Sequence, residues 1–104
     1  MAIEVITEFI DKDTVRIIGY VKDDDGALVD PTACKVSVID PDGATQIDEV
    51  AMSQTATGTY EYYYHTGETT DPMDKGEWRG YVLTVDGSGA TAKISTGNYA
   101  FTVG

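Results

Sequence analysis

The sequence predicts an all-β protein, a single antiparallel β-sandwich of about seven strands. Successive segments alternate apolar and polar residues with a period of two. Short clusters of Asp, Gly and Pro separate them, and these residues form turns. The composition agrees: apolar residues make up 41% and aromatics 10%, with 11 glycines in 104 residues, and no segment carries a convincing helical period.

In chain order the alternating segments are residues 3–9, 14–22, 34–39, 46–52, 59–65, 77–85 and 92–103. Inward-facing positions along them are Val15, Ile17, Val21, Val36, Val38, Tyr62, Trp78, Val82 and Phe101, which form the predicted core. The last segment is long, and Gly97-Asn98 within it predicts a bulge or break. Turn chemistry punctuates the chain as DDDG at 23–26, DP at 30–31, DPDG at 40–43, ATG at 56–58 and GSG at 87–89. Residues 66–76, TGETTDPMDKG, are longer and polar, a candidate for mobility or partner contact. One domain, residues 1–104, accounts for this length without linker or repeat.

The stretch TGTYEYYYH (57–65) places Tyr60, Tyr62 and Tyr64 on one strand face and Glu61, Tyr63 and His65 on the other. Gly58-x-Tyr60-x-Tyr62 has the spacing of the tyrosine corner of immunoglobulin-like sandwiches, in which a Tyr hydroxyl bonds back to main chain and the residue two on points inward. Tyr62 stands where antibody domains carry a cysteine. The fold expected is therefore a single immunoglobulin-like antiparallel β-sandwich without the inter-sheet disulfide.

The pieces V-x-I-x-G-x-V (15–21), DGALVDPT (25–32), VSVIDPDG (36–43), TGTYEYYY (57–64), GEW (76–78) and YAFTV (99–103) span the chain. Together they resemble the small immunoglobulin-like proteins encoded among the structural genes of tailed phages and prophages. More distantly they are similar to macroglobulin-like and bacterial immunoglobulin-like domains of cell-surface proteins. The resemblance implies a non-enzymatic structural or interaction module, a virion component or assembly factor, and carries no catalytic residues. A carbohydrate- or cell-surface-binding module is the alternative, since such sandwiches hold sugars on aromatic faces.

Seven basic against eighteen acidic side chains leave a formal charge of −11, which repels nucleic acid and anionic lipid alike. The acids fall mostly in turns, where Asp is favoured on conformational grounds. Cys34, the only cysteine, cannot form an internal disulfide and reads as a small buried hydrophobe. The N-terminal MAIEVITEFIDKD lacks the basic and apolar regions of a signal peptide, and no run is long enough to span a bilayer as a helix. The chain is expected in the cytoplasm as synthesised, leaving it only as part of a particle.

No cofactor, metal or catalytic residue is predicted. Asp40-x-Asp42-Gly43 with Glu49 overlays part of an EF-hand loop, but Val38 occupies the first ligand position and DPDG reads as a hairpin turn. Asp23, Asp24 and Asp25 are adjacent carboxylates that point in divergent directions. His65 is the only histidine, so no zinc site of the usual His/Cys type can be assembled within one chain. Ser37, Ser53, Ser88 and Ser95 lack a nucleophile-elbow context.

Trp78 reads as a core residue, with a sugar-stacking platform as the rival. The opposite face of its strand is also apolar: Tyr81, Leu83 and Val85. So are Ile18 and Tyr20 in the second segment. With Tyr63 these six form a candidate docking patch for a protein partner or a second copy, unless a loop covers it or one strand is turned over.

Overall fold

The structure, a computed structural model, describes residues 2–11, 14–65, 76–87, 89 and 92–103. Its strands are β1 (Ala2–Asp11), β2 (Thr14–Lys22), β3 (Ala33–Ile39), β4 (Thr45–Ala51), β5 (Ser53–Ala56), β6 (Thr59–His65), β7 (Gly76–Asp86) and β8 (Lys93–Val103). All pairings are antiparallel, in two four-stranded sheets ordered β1-β2-β6-β5 and β4-β3-β7-β8. This is the A-B-E-D and C-F-G arrangement of the immunoglobulin sandwich, with one further strand beside C. The candidate loop at 66–76 lies, apart from Gly76, outside the described residues.

The segment expected at 46–52 is β4, and the eighth strand, β5, follows it at Ser53–Ala56, where the sequence predicts none. β4 pairs with β3 as far as Ala51, the Met52 N–H donates to the Cys34 carbonyl oxygen at 3.1 Å, and β5 then joins β6 in the other sheet. The Met52 side chain is buried and pins the crossing to the core. No glycine, proline or aspartate marks this point, and the chain simply changes partners.

The break expected at Gly97-Asn98 does not occur. β8 pairs with β7 in unbroken register from Gly76↔Val103 to Asp86↔Lys93. Gly97 serves packing between the layers: a Cβ there would lie 2.9 Å from the Ile3 carbonyl oxygen, so the missing side chain lets β1 settle onto β8.

The inner faces hold Val15, Ile17, Val21, Val36, Val38, Trp78, Val82 and Phe101, all buried, while Tyr62 is only partly buried at the margin. Tyr60, Tyr64, Tyr99, Cys34 and Met52 complete the cluster. Trp78 lies at its centre, stacked on Phe101 at 6.0 Å and 9° and tilted against Tyr64 at 5.8 Å. The Tyr99 hydroxyl donates to the main-chain carbonyl oxygen of Ser37.

Two turns share one construction. In Asp23-Asp24-Asp25-Gly26-Ala27 and Asp40-Pro41-Asp42-Gly43-Ala44, the first Asp Oδ1 accepts from the N–H groups two and four residues on, at 2.9–3.0 Å. The glycines sit at φ 84° and 89°, a conformation that glycine adopts without steric cost. Gly58 closes another junction. At φ 63° its N–H donates to Asp30 Oδ1 at 2.8 Å while its carbonyl accepts from Val21 at 2.8 Å.

Candidate docking face

Alternation puts Tyr81, Leu83 and Val85 of β7 on the outer face of the β4-β3-β7-β8 sheet, opposite Trp78, Val82 and Thr84. Register then fixes their neighbours. Val85 is flanked by Ala33 and Ile94, Leu83 by Lys35 and Thr96, and Tyr81 by Ser37 and Asn98. Ile94 is 66% exposed, the largest value among the exposed large hydrophobics of the described residues. Tyr81, Leu83 and Val85 are half-buried beside it, so the four make a contiguous apolar band across β7 and β8.

A bulge finishes the band at its far end. The β3–β4 register slips between Val36 and Val38, and Glu49 takes φ 49°, held by its N–H donating to Ser37 Oγ at 3.0 Å. That turn aims the Glu49 carboxylate across the face, where it accepts from the Tyr81 hydroxyl at 3.2 Å. Beyond Tyr81 a hollow of about 290 Å³ opens between Ile39, Arg79 and Asn98. Charge on the face is nearly balanced, with Lys35 and Arg79 against Glu49 and Glu77, in a chain of formal charge −11.

The other three predicted residues lie elsewhere. Ile18, Tyr20 and Tyr63 are on the outer face of the β1-β2-β6-β5 sheet, so the six do not form one surface. Alternation tells the two sides of a strand apart, but β2 and β6 belong to one layer and β7 to the other. Their face is also more polar. Ile18 is only 6% exposed, and Arg16 donates from Nε and Nη2 to Glu61 Oε2 at 2.9 and 2.7 Å. That carboxylate pushes the Arg16 guanidinium still further up. Lys22 meets Glu4 at 3.3 Å on the same face, while Tyr63 is 46% exposed.

Of the remaining chemical candidates, Trp78 and Asp40 are structural, while Ser88 and the His65 side chain lie outside the described residues. Trp78 is fully buried, which removes the sugar-stacking role. Asp40 is a turn residue: its Oδ1 holds two main-chain N–H groups and its Oδ2 accepts from Gln46 at 2.8 Å. These hydrogen bonds, the Ala44 N–H foremost, hold its carboxyl below the usual carboxylate range. Among the described residues no three His, Cys, Asp or Glu side chains gather as metal ligands.

A cavity of about 420 Å³ opens where the chain changes sheets, lined by Asp30, Thr32, Cys34, Met52, Gln54 and Tyr60 among others. The Cys34 thiol donates to Met52 Sδ at 3.8 Å, and burial pushes it up to about 11. It is therefore a protonated packing group at neutral pH rather than a nucleophile.

Ile94 and Glu49 were missed in the sequence. The signal for Ile94 was present: with Tyr99 and Phe101 inward, an even-numbered residue of β8 must face out. Glu49 carried none, because a bulge reverses the parity of the residues it shifts. Comparison with family models, with curated proteins and with solved structures gives no match.

Proposed function

We propose that this chain is a non-enzymatic structural or interaction module that docks a protein through the outer face of the β4-β3-β7-β8 sheet, as a component or assembly factor of a phage or prophage particle. The observation that carries the docking part is the outward-facing band of half-buried Tyr81, Leu83 and Val85 with exposed Ile94, an apolar surface with little net charge on an otherwise strongly acidic protein. The particle assignment rests on the resemblance of the motifs from Val15 to Val103 to small phage immunoglobulin-like proteins.

The test is to induce particles from a strain carrying the gene and quantify the chain in purified particles and in assembly intermediates by mass spectrometry. Recovery at a fixed ratio to a known particle protein, lost when Leu83→Lys replaces the wild type, supports the reading. Recovery only as free protein, with no difference between wild type and variant, defeats it.

A further inference from the structure

The two sheets have four edges, and three carry devices that discourage strand addition. β1 places Glu4 and Glu8 on either side of Ile6 and shifts register between Phe9 and Asp11. β5 has four residues and a register shift of its own. β4 is bulged twice against β3 and carries Asp48 and Glu49 at the first bulge. Charges, short length and bulges are the means by which sheet edges avoid pairing with other chains.

β8 has none of these. It runs for eleven residues, its register with β7 is unbroken, and from Ile94 to Val103 it contains neither a charged residue nor a proline. A long, regular, uncharged edge on a chain of formal charge −11 is a template for main-chain pairing. β1 packs on its inner side through Ile3 and Gly97, and in the sheet itself β8 has β7 as its neighbour and is last in the strand order.

We infer that β8 pairs antiparallel with β8 of a second copy, about a twofold axis at Asn98, joining the two β4-β3-β7-β8 sheets into one. The strand is self-complementary in this register. Centring the axis on Asn98, the middle of Lys93–Val103, pairs the whole strand. Asn98 then faces Asn98 of the second copy, Thr96 faces Ala100, and Ile94 faces Thr102. On the inner side Gly97 faces Tyr99, whose ring is turned toward Gly80 and Ser37 of its own sheet. The one charged residue of the strand, Lys93, comes opposite Val103 at each end of the seam, so no like charges meet. A closed twofold pairing also consumes the edge, which a head-to-tail arrangement would not. This pairing does not depend on what docks over Leu83, although it would set the apolar bands of two copies side by side on one surface.

The test uses the full chain in sedimentation velocity from micromolar to near-millimolar concentration. Wild type is expected to form a dimer. Asn98→Lys and Asn98→Glu each put like charges directly opposite across the axis and should shift to monomer, with the circular dichroism spectrum unchanged because Asn98 is exposed. An equimolar mixture of the two should restore the dimer mass as a heterodimer. Leu83→Lys, aimed at the docking band, should dimerise as wild type does, so failure of the docking reading and failure of this one are told apart. A wild type that stays monomeric overturns the inference. So does a dimer insensitive to either Asn98 substitution, or a mixture that stays monomeric.

Discussion

The ring of Tyr99 occupies the space a side chain at Gly80 would need. A Cβ on Gly80 would lie 2.5 Å from the Tyr99 hydroxyl oxygen and 2.7 Å from Cζ, and closer still to the Ser37 carbonyl oxygen that the hydroxyl bonds. One glycine therefore lets β8 reach across β7 and tie itself to β3. Gly80→Ala has no free volume to enter and is expected to destabilise the fold by more than about 3 kcal/mol in urea unfolding. Tyr99→Phe keeps the packing and loses the bond to a buried carbonyl, at about 1–2 kcal/mol.

Alkaline pH should unfold the protein earlier than its net charge alone requires. Burial raises the Cys34 thiol from 9.0 to about 11 and pushes the Tyr99 phenol up as well. Each binds its proton more tightly folded than unfolded, so above about pH 9 the unfolded chain releases protons that the folded chain keeps, and stability falls. Each group contributes a slope of at most about 1.4 kcal/mol per pH unit. In denaturant titrations across this range, Cys34→Ala should flatten the decline between pH 9 and 11, and Tyr99→Phe should flatten it further up. A decline unchanged in both variants would assign it to general charge repulsion instead.

Trp78→Ala is expected to cost about 3–5 kcal/mol, because the indole is fully enclosed between Phe101 and Tyr64 and its removal leaves a cavity in both layers. A cost well under 1 kcal/mol would mean that the inner faces are wrongly assigned.

Gly58 should be the least replaceable turn residue. A Cβ there would come 2.8 Å from the Val21 carbonyl oxygen and 2.9 Å from the Val29 nitrogen, at a φ of 63° that already disfavours a side chain. Thermal unfolding of Gly58→Ala should report a loss of about 2–3 kcal/mol. Gly26→Ala, with open space around it, should lose markedly less because it meets only the φ penalty.

Much of this architecture is legible in the residues. Alternation placed Val15, Ile17, Val21, Val36, Val38, Trp78, Val82 and Phe101 inward and Tyr81, Leu83 and Val85 outward, since the period-two rule acts locally and does not depend on the partner strand. It could not divide the strands between sheets, which is a matter of long-range pairing, and so Ile18, Tyr20 and Tyr63 were grouped with residues on the opposite side of the molecule. The crossing at Met52 was hidden for the same reason. The turn signature that would announce a new strand is absent there, because a strand can change sheets without reversing direction.

The docking face gives the last expectation. Leu83 lies between Lys35 and Thr96 on the outer face, half-buried by neighbours rather than by the core. A lysine there can carry its charge out to water along its own stem, so Leu83→Lys should change stability by no more than about 0.5–1 kcal/mol. Ile94→Lys, at the most exposed of the described large hydrophobics, should be equally benign. Both should weaken binding to the proposed protein partner by tenfold or more, since a charge placed in the apolar centre of an interface must be desolvated when the complex forms. Chemical denaturation and a binding titration on the same samples separate the two effects. If Leu83→Lys unfolds the chain, the outer face of β7 is part of a core. If both variants fold and bind like wild type, the band of Tyr81, Leu83, Val85 and Ile94 is not where the partner sits.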